Sequence, residues 1–176
     1  NTWKGTLNNS LTANNAWQSS PAPSDAYVLF TGTAAGSGRA VTVDSNANLR
    51  GLYFKSTGSG TLGFTFSGAS TLTVGRGGIT NYDTSRQTFS AALALGSHQY
   101  WNVGPGGVTA ASISTGTGFL LEIAGSGTTR ITGNVSGSGG VALTSGRLEL
   151  TGSSGYTGAT WAHAGTLVVD GTIASS

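Results

Sequence analysis

From Arg39 onward, apolar and polar residues alternate in short runs. Val41 and Val43 alternate, Leu49 to Phe54 form the next run, then Leu62, Phe64 and Phe66, then Leu72 and Val74. Runs of three to six residues with period two predict half-buried strands. Between them stand Gly58-Ser-Gly60, Ser67-Gly68 and Gly75-Arg-Gly-Gly78, which supply corners. Phe89, Ala91, Leu93 and Leu95 alternate too, so Phe89 to Leu95 is expected as a strand despite its helix-favouring Ala and Leu. Gln99 to Val103, Phe119 to Ile123, Arg130 to Val135 and Val141 to Leu143 continue the pattern. No 3.6-residue period emerges beyond Arg39.

One unit is written twice near the end. Gly146-Arg-Leu-Glu-Leu-Thr-Gly152 recurs 19 residues later as Gly165-Thr-Leu-Val-Val-Asp-Gly171. Leu148 matches Leu167 and Leu150 matches Val169, so the inward pair repeats while the residues between it vary. A period near twenty with glycine at each end describes a coil stacking on its own copy. The expected fold is therefore all-β, a right-handed parallel β-helix (β-solenoid). Residues 1–38 are expected to form an aromatic-rich N-terminal cap and first coil, and residues 39–176 the coils of one structural domain. At about 20 residues per turn there is room for roughly seven coils, a rod about 30 to 35 Å long at about 4.8 Å per strand.

The stretch from Leu143 to Val169 resembles the autotransporter-associated β-strand repeat. That pattern is roughly L-T-x-x-G-x-L-x-L-x-G-x-x-x-Y-x-G-x-T-x-x-x-x-G-x-L-x-V, met here by Gly146, Leu148, Leu150, Gly152, Tyr156, Gly158, Thr160, Gly165, Leu167 and Val169. Trp161 and His163 depart from the small or β-branched residues usual at their positions. The resemblance implies a parallel β-helix displayed outside a bacterial cell, at its surface, whose repeats carry no conventional active site.

Composition narrows the function. Charged residues are 8% of the chain, against about a quarter in a typical domain. Repulsion between molecules is correspondingly weak, which favours ordered association. The net charge of +2 comes from eight separated basic and six acidic residues. With no Lys/Arg cluster, nucleic acid is not an expected partner. The chain lacks Cys and Met, the side chains most easily oxidised, which suits an extracellular setting. No apolar run approaches the roughly 20 residues of a membrane span, so no insertion by this chain is expected. A chain beginning at Asn1 reads as a processed product or a piece of a longer one.

The two ends attract most interest. Trp3, Trp17, Tyr27 and Phe30 are read as a cover for the first coil, with a sugar-stacking platform as the functional alternative. At the other end Leu167, Val168, Val169 and Ile173 are apolar, with only Ala-Ser-Ser after them. An open β edge is seldom left bare. Trp3, Trp17, Leu167, Val168, Val169 and Ile173 are thus the expected assembly interface, and copies of the chain itself the expected partner.

Catalytic chemistry finds little support. Polysaccharide-acting β-helices need acids converging from neighbouring coils. Asp25, Asp44, Asp83, Glu122, Glu149 and Asp170 are read instead as single solvated acids at corners, although Asp25 with Asp44, and Glu149 with Asp170, are spaced near one turn. His98 and His163 stand alone, without a nucleophile elbow. The Gly-x-Gly strings open no helix, so they are not phosphate loops. No catalytic, cofactor or metal site is expected. The reading is an extracellular structural subunit that self-assembles end to end into a surface filament. A carbohydrate-binding adhesin module, with Trp101 as its test residue, ranks second, and a polysaccharide-degrading enzyme third.

Overall fold

The structure, a computed structural model, describes residues 24–31, 39–55 and 63–174. Trp3, Trp17, Leu62 and Gly58-Ser-Gly60 lie outside these residues. The strands run in chain order as β1 (Tyr27–Phe30), β2 (Arg39–Thr42), β3 (Ala47–Phe54), β4 (Phe64–Ser67), β5 (Leu72–Asn81), β6 (Gln87–Phe89), β7 (Leu93–Leu95) and β8 (Gln99–Val103). They continue as β9 (Val108–Ala110), β10 (Ile113–Ser114), β11 (Leu121–Gly125), β12 (Thr128–Ile131), β13 (Val135–Ser136) and β14 (Val141–Leu143). The last five are β15 (Arg147–Leu150), β16 (Ser153–Ser154), β17 (Thr160–Ala162), β18 (Thr166–Val169) and β19 (Thr172–Ile173). Among the described residues there is no helix.

Each turn visits three faces. The first face is one parallel sheet in the order β2-β4-β6-β9-β12-β15-β18. The second takes the leading halves of β3 and β5 and then β7, β10 and β13, and ends at the β16–β19 pair. The third runs from β1 through the trailing halves of β3 and β5 to β8, β11, β14 and β17. All of the pairing is parallel, and six complete turns from β2 to β17 are followed by β18 and β19 of a seventh. The chain is a β-solenoid.

The coil shortens along its length. On the first face Arg39 pairs Phe64, a step of 25, while Arg147 pairs Thr166, a step of 19. Core side chains follow the contour. The wide turns are filled by Phe30, Phe54, Phe64, Phe66 and Phe89, with Phe66 stacked on Phe89 at 4.7 Å and Phe30 on Phe54 at 5.0 Å. In the narrow turns the core is mostly aliphatic, with Leu148, Leu150, Val141 and Leu143 joined by the single aromatic Tyr156. A larger loop encloses more volume, and close packing demands that something fill it.

Corner chemistry shows most clearly at the repeated unit. Gly146 and Gly165 have φ of 79° and 90°, and a Cβ on Gly146 would sit 2.8 Å from the carbonyl oxygens of Gly125 and Gly127. The preceding rung leaves no room for a side chain there. Two strand expectations are corrected: Arg130 to Val135 divides between β12, which ends at Ile131, and β13, which starts at Val135 on the next face. Phe89 to Leu95 is not one strand: β6 stops at Phe89, the chain turns through Ser90 and Ala92, and β7 starts at Leu93. Gly75 to Gly78 supplies the expected corner without ending the strand: β5 runs through it and changes face, opposite a register shift between Leu49 and Gly51.

Candidate functional site

The last rung is where the core reaches solvent. β18 lies on β15 with Leu148 facing Leu167 and Leu150 facing Val169, while Ser154 faces Ile173 on β19. Leu148, Leu150 and Ser154 are buried, whereas Leu167 and Ile173 are half-buried against the core and Val169 is exposed. Val168 pairs with Glu149 and so falls on the outer wall. Thr166, Asp170 and Ala174 donate backbone hydrogen bonds down to Gly146, Leu150 and Ser154. Among the described residues no strand pairs with the far edges of β17, β18 and β19. The end thus combines apolar cross-section with unpaired peptide groups, the two features a further rung would satisfy.

At the other end, Trp3 and Trp17 lie outside the described residues. Phe30 is in the core, while Tyr27 on the same strand is exposed and makes an edge contact with Tyr53 at 5.6 Å. Trp101 is 1% exposed, and its indole N–H donates to Gln99 Oε1 at 2.7 Å. It is a core residue, which removes it as a glycan platform.

The acids also differ from the reading as single solvated groups. Arg50 donates to Asp25 at 2.9 Å, and Glu149 accepts from Arg147 Nε at 2.6 Å with Arg130 3.4 Å away. Asp25 does not meet Asp44; its N–H donates instead to the Asn48 carbonyl. Nor do Glu149 and Asp170 stack, because Glu149 faces Val168, two residues short of Asp170. The hydrogen bond from Arg147, helped by the charges of Arg147, Arg130 and Arg86, holds the Glu149 carboxyl below the usual carboxylate range. Asp83 is buried rather than solvated: its Oδ1 accepts from the Ser85 N–H at 2.7 Å.

Asp83 belongs to a polar layer that sequence patterning missed. Asn81 donates to the Ser85 and Gly107 carbonyls, and Gln87 Oε1 accepts from the Phe64 N–H at 2.9 Å. The one sequence signal was the two-residue spacing of Asn81, Asp83 and Ser85, which suits side-chain-to-backbone turns. His98 takes a corner position, its Nδ1 accepting from the Leu120 N–H at 3.0 Å. Tyr156, one of the repeat residues, is fully buried and bonded through its hydroxyl to Thr160. Among the described residues no group of three or more His, Asp or Glu is placed to hold a metal ion.

No protein-family model matches the chain, and neither the curated proteins nor the solved structures compared with it give a match.

Proposed function

We propose that the chain is a structural β-solenoid segment displayed outside a bacterial cell, which extends end to end by stacking on copies of itself. The observation that carries this reading is the loss of cover along one core column, from buried Leu150 to exposed Val169. The partner rung is the N-terminal, wide end of the next copy, where Trp3 and Trp17 lie in the sequence. In a parallel solenoid the backbone edges of a first and a last rung are complementary, so copies join head to tail. Such a contact is heterologous, does not close, and builds a fibre. With 8% charged residues, little repulsion opposes it. The role is mechanical rather than enzymatic.

Electron microscopy and sedimentation of the purified chain over a concentration series test the reading. Filaments or a concentration-dependent ladder of oligomers support it. A monodisperse monomer at the highest concentration overturns it.

A further inference from the structure

The corner between the second and third faces carries a charged cleft at the wide end of the solenoid, far along the rod from the apolar last rung. A cavity of about 360 Å³ is lined by Asp25, Arg50, Gly75, Arg76, Gly96 and Ser97. These residues come from four successive levels, so the cleft runs along the axis for about 14 Å at the usual strand spacing. Gly75 and Gly96 lie in its lining, so two of its levels present backbone rather than a side chain at the corner. Arg50 uses one of its N–H groups on Asp25 and its guanidinium lies 5.9 Å from the Tyr27 ring centre. Arg76 is exposed and has no ion-pair partner among the described residues. Two cations against one carboxylate leave the cleft with a positive excess.

Beside it on the third face, Tyr27 faces Gly51, which faces Gly78. Tyr100 lies on the next level, its carbonyl against Gly78. Tyr27 and Tyr100 are 45% and 46% exposed, and the Tyr27 ring leans across the glycine levels onto Gly77. Aromatic faces next to a donor-rich groove suit a sugar ring, and Asp25 supplies an acceptor for hydroxyls. A nucleic acid would require a longer basic stripe than two arginines.

We propose that this corner column binds an acidic carbohydrate, with Arg50 and Arg76 holding its carboxylate or sulfate between the Tyr27 and Tyr100 rings. Arginine is suited to both groups because its planar fork matches two oxygens at once. The inference does not depend on end-to-end assembly, and the two can fail separately.

Isothermal titration of the full chain with dextran sulfate, polygalacturonate, neutral dextran and inorganic sulfate tests it. At least one acidic polymer should bind, neutral dextran should not, and free sulfate should bind far more weakly than the polymer. Arg76→Ala should weaken polymer binding about tenfold or more, as expected for a lost charge-assisted contact, and Arg76→Lys should recover part of it. Arg130→Ala removes the same charge elsewhere and should leave binding unchanged. Failure of both acidic polymers to bind, equal loss in the Arg76 and Arg130 variants, or binding of free sulfate as tight as that of the polymer would each overturn the proposal.

Discussion

Leu150 and Val169 are register partners one rung apart, yet the first is 1% exposed and the second 39%. Identical placement in the coil thus gives two different energetic roles. Leu150→Ala should cost about 2–5 kcal/mol, as in other close-packed cores. Val169→Lys should change monomer stability by no more than about 0.5 kcal/mol, in the manner of a surface substitution. If stacking occurs at this end, the same lysine should abolish oligomers in sedimentation. Unchanged oligomers with Val169→Lys would place the contact elsewhere.

Gly78 and Gly116 form a matched pair. Both have φ of 59°, but a Cβ on Gly78 would meet the Tyr100 backbone, whereas on Gly116 it meets the Phe119 ring at 3.1 Å. The Phe119 side chain is able to shift, and a neighbouring strand is not. Gly116→Ala should therefore cost about 1–2 kcal/mol for the backbone conformation, and Gly78→Ala at least about 1 kcal/mol more. Urea unfolding midpoints at unchanged slope measure the difference.

The polar layer around Gln87 makes a separate prediction. Gln87→Leu keeps the size of the side chain and removes the acceptor of the Phe64 N–H. A buried donor left without its partner costs about 1–3 kcal/mol. Urea unfolding should show that loss, and the Phe64 amide should lose hydrogen-exchange protection before its neighbours. A neutral substitution would mean that the amide finds another acceptor.

Acid should unlock the Glu149 cluster. The folded carboxyl is held below its ordinary value, first by the hydrogen bond from Arg147 and then by the charges of Arg147, Arg130 and Arg86. Its stabilisation is therefore complete above the unfolded carboxylate range and disappears as pH falls through the lowered folded value. Glu149→Gln should be less stable than the parent at neutral pH by about 0.2–1 kcal/mol, the scale of exposed pairs. That gap should close in acid. A gap that persists at low pH would rule out the ion cluster as its source.

The alternation of apolar and polar residues made the solenoid legible because burial follows the pleat in most strands, although β14 and the trailing half of β5 are buried at consecutive positions. The 19-residue repeat also gave the register, with Leu148 on Leu167 as read. What misled was continuity. Phe89, Ala91, Leu93 and Leu95 all point inward although the chain turns between them, since adjacent faces of a solenoid share one core. A corner built without glycine therefore leaves the alternation intact. Long-range charge pairing was hidden by the variable coil length: Asp25 meets Arg50 after 25 residues, while Arg130 meets Glu149 after 19. No fixed period predicts both. Trp101 was unreadable for a different reason, because an indole with its own internal acceptor can sit deep in an apolar layer.

The step along the first face falls from 25 residues at the Arg39 end to 19 at the Thr166 end. A block with that taper has unequal girths at its two ends. Copies joined head to tail would then swell and narrow once per subunit, and averaged micrographs should show a beaded profile with a fixed axial repeat rather than a smooth cylinder.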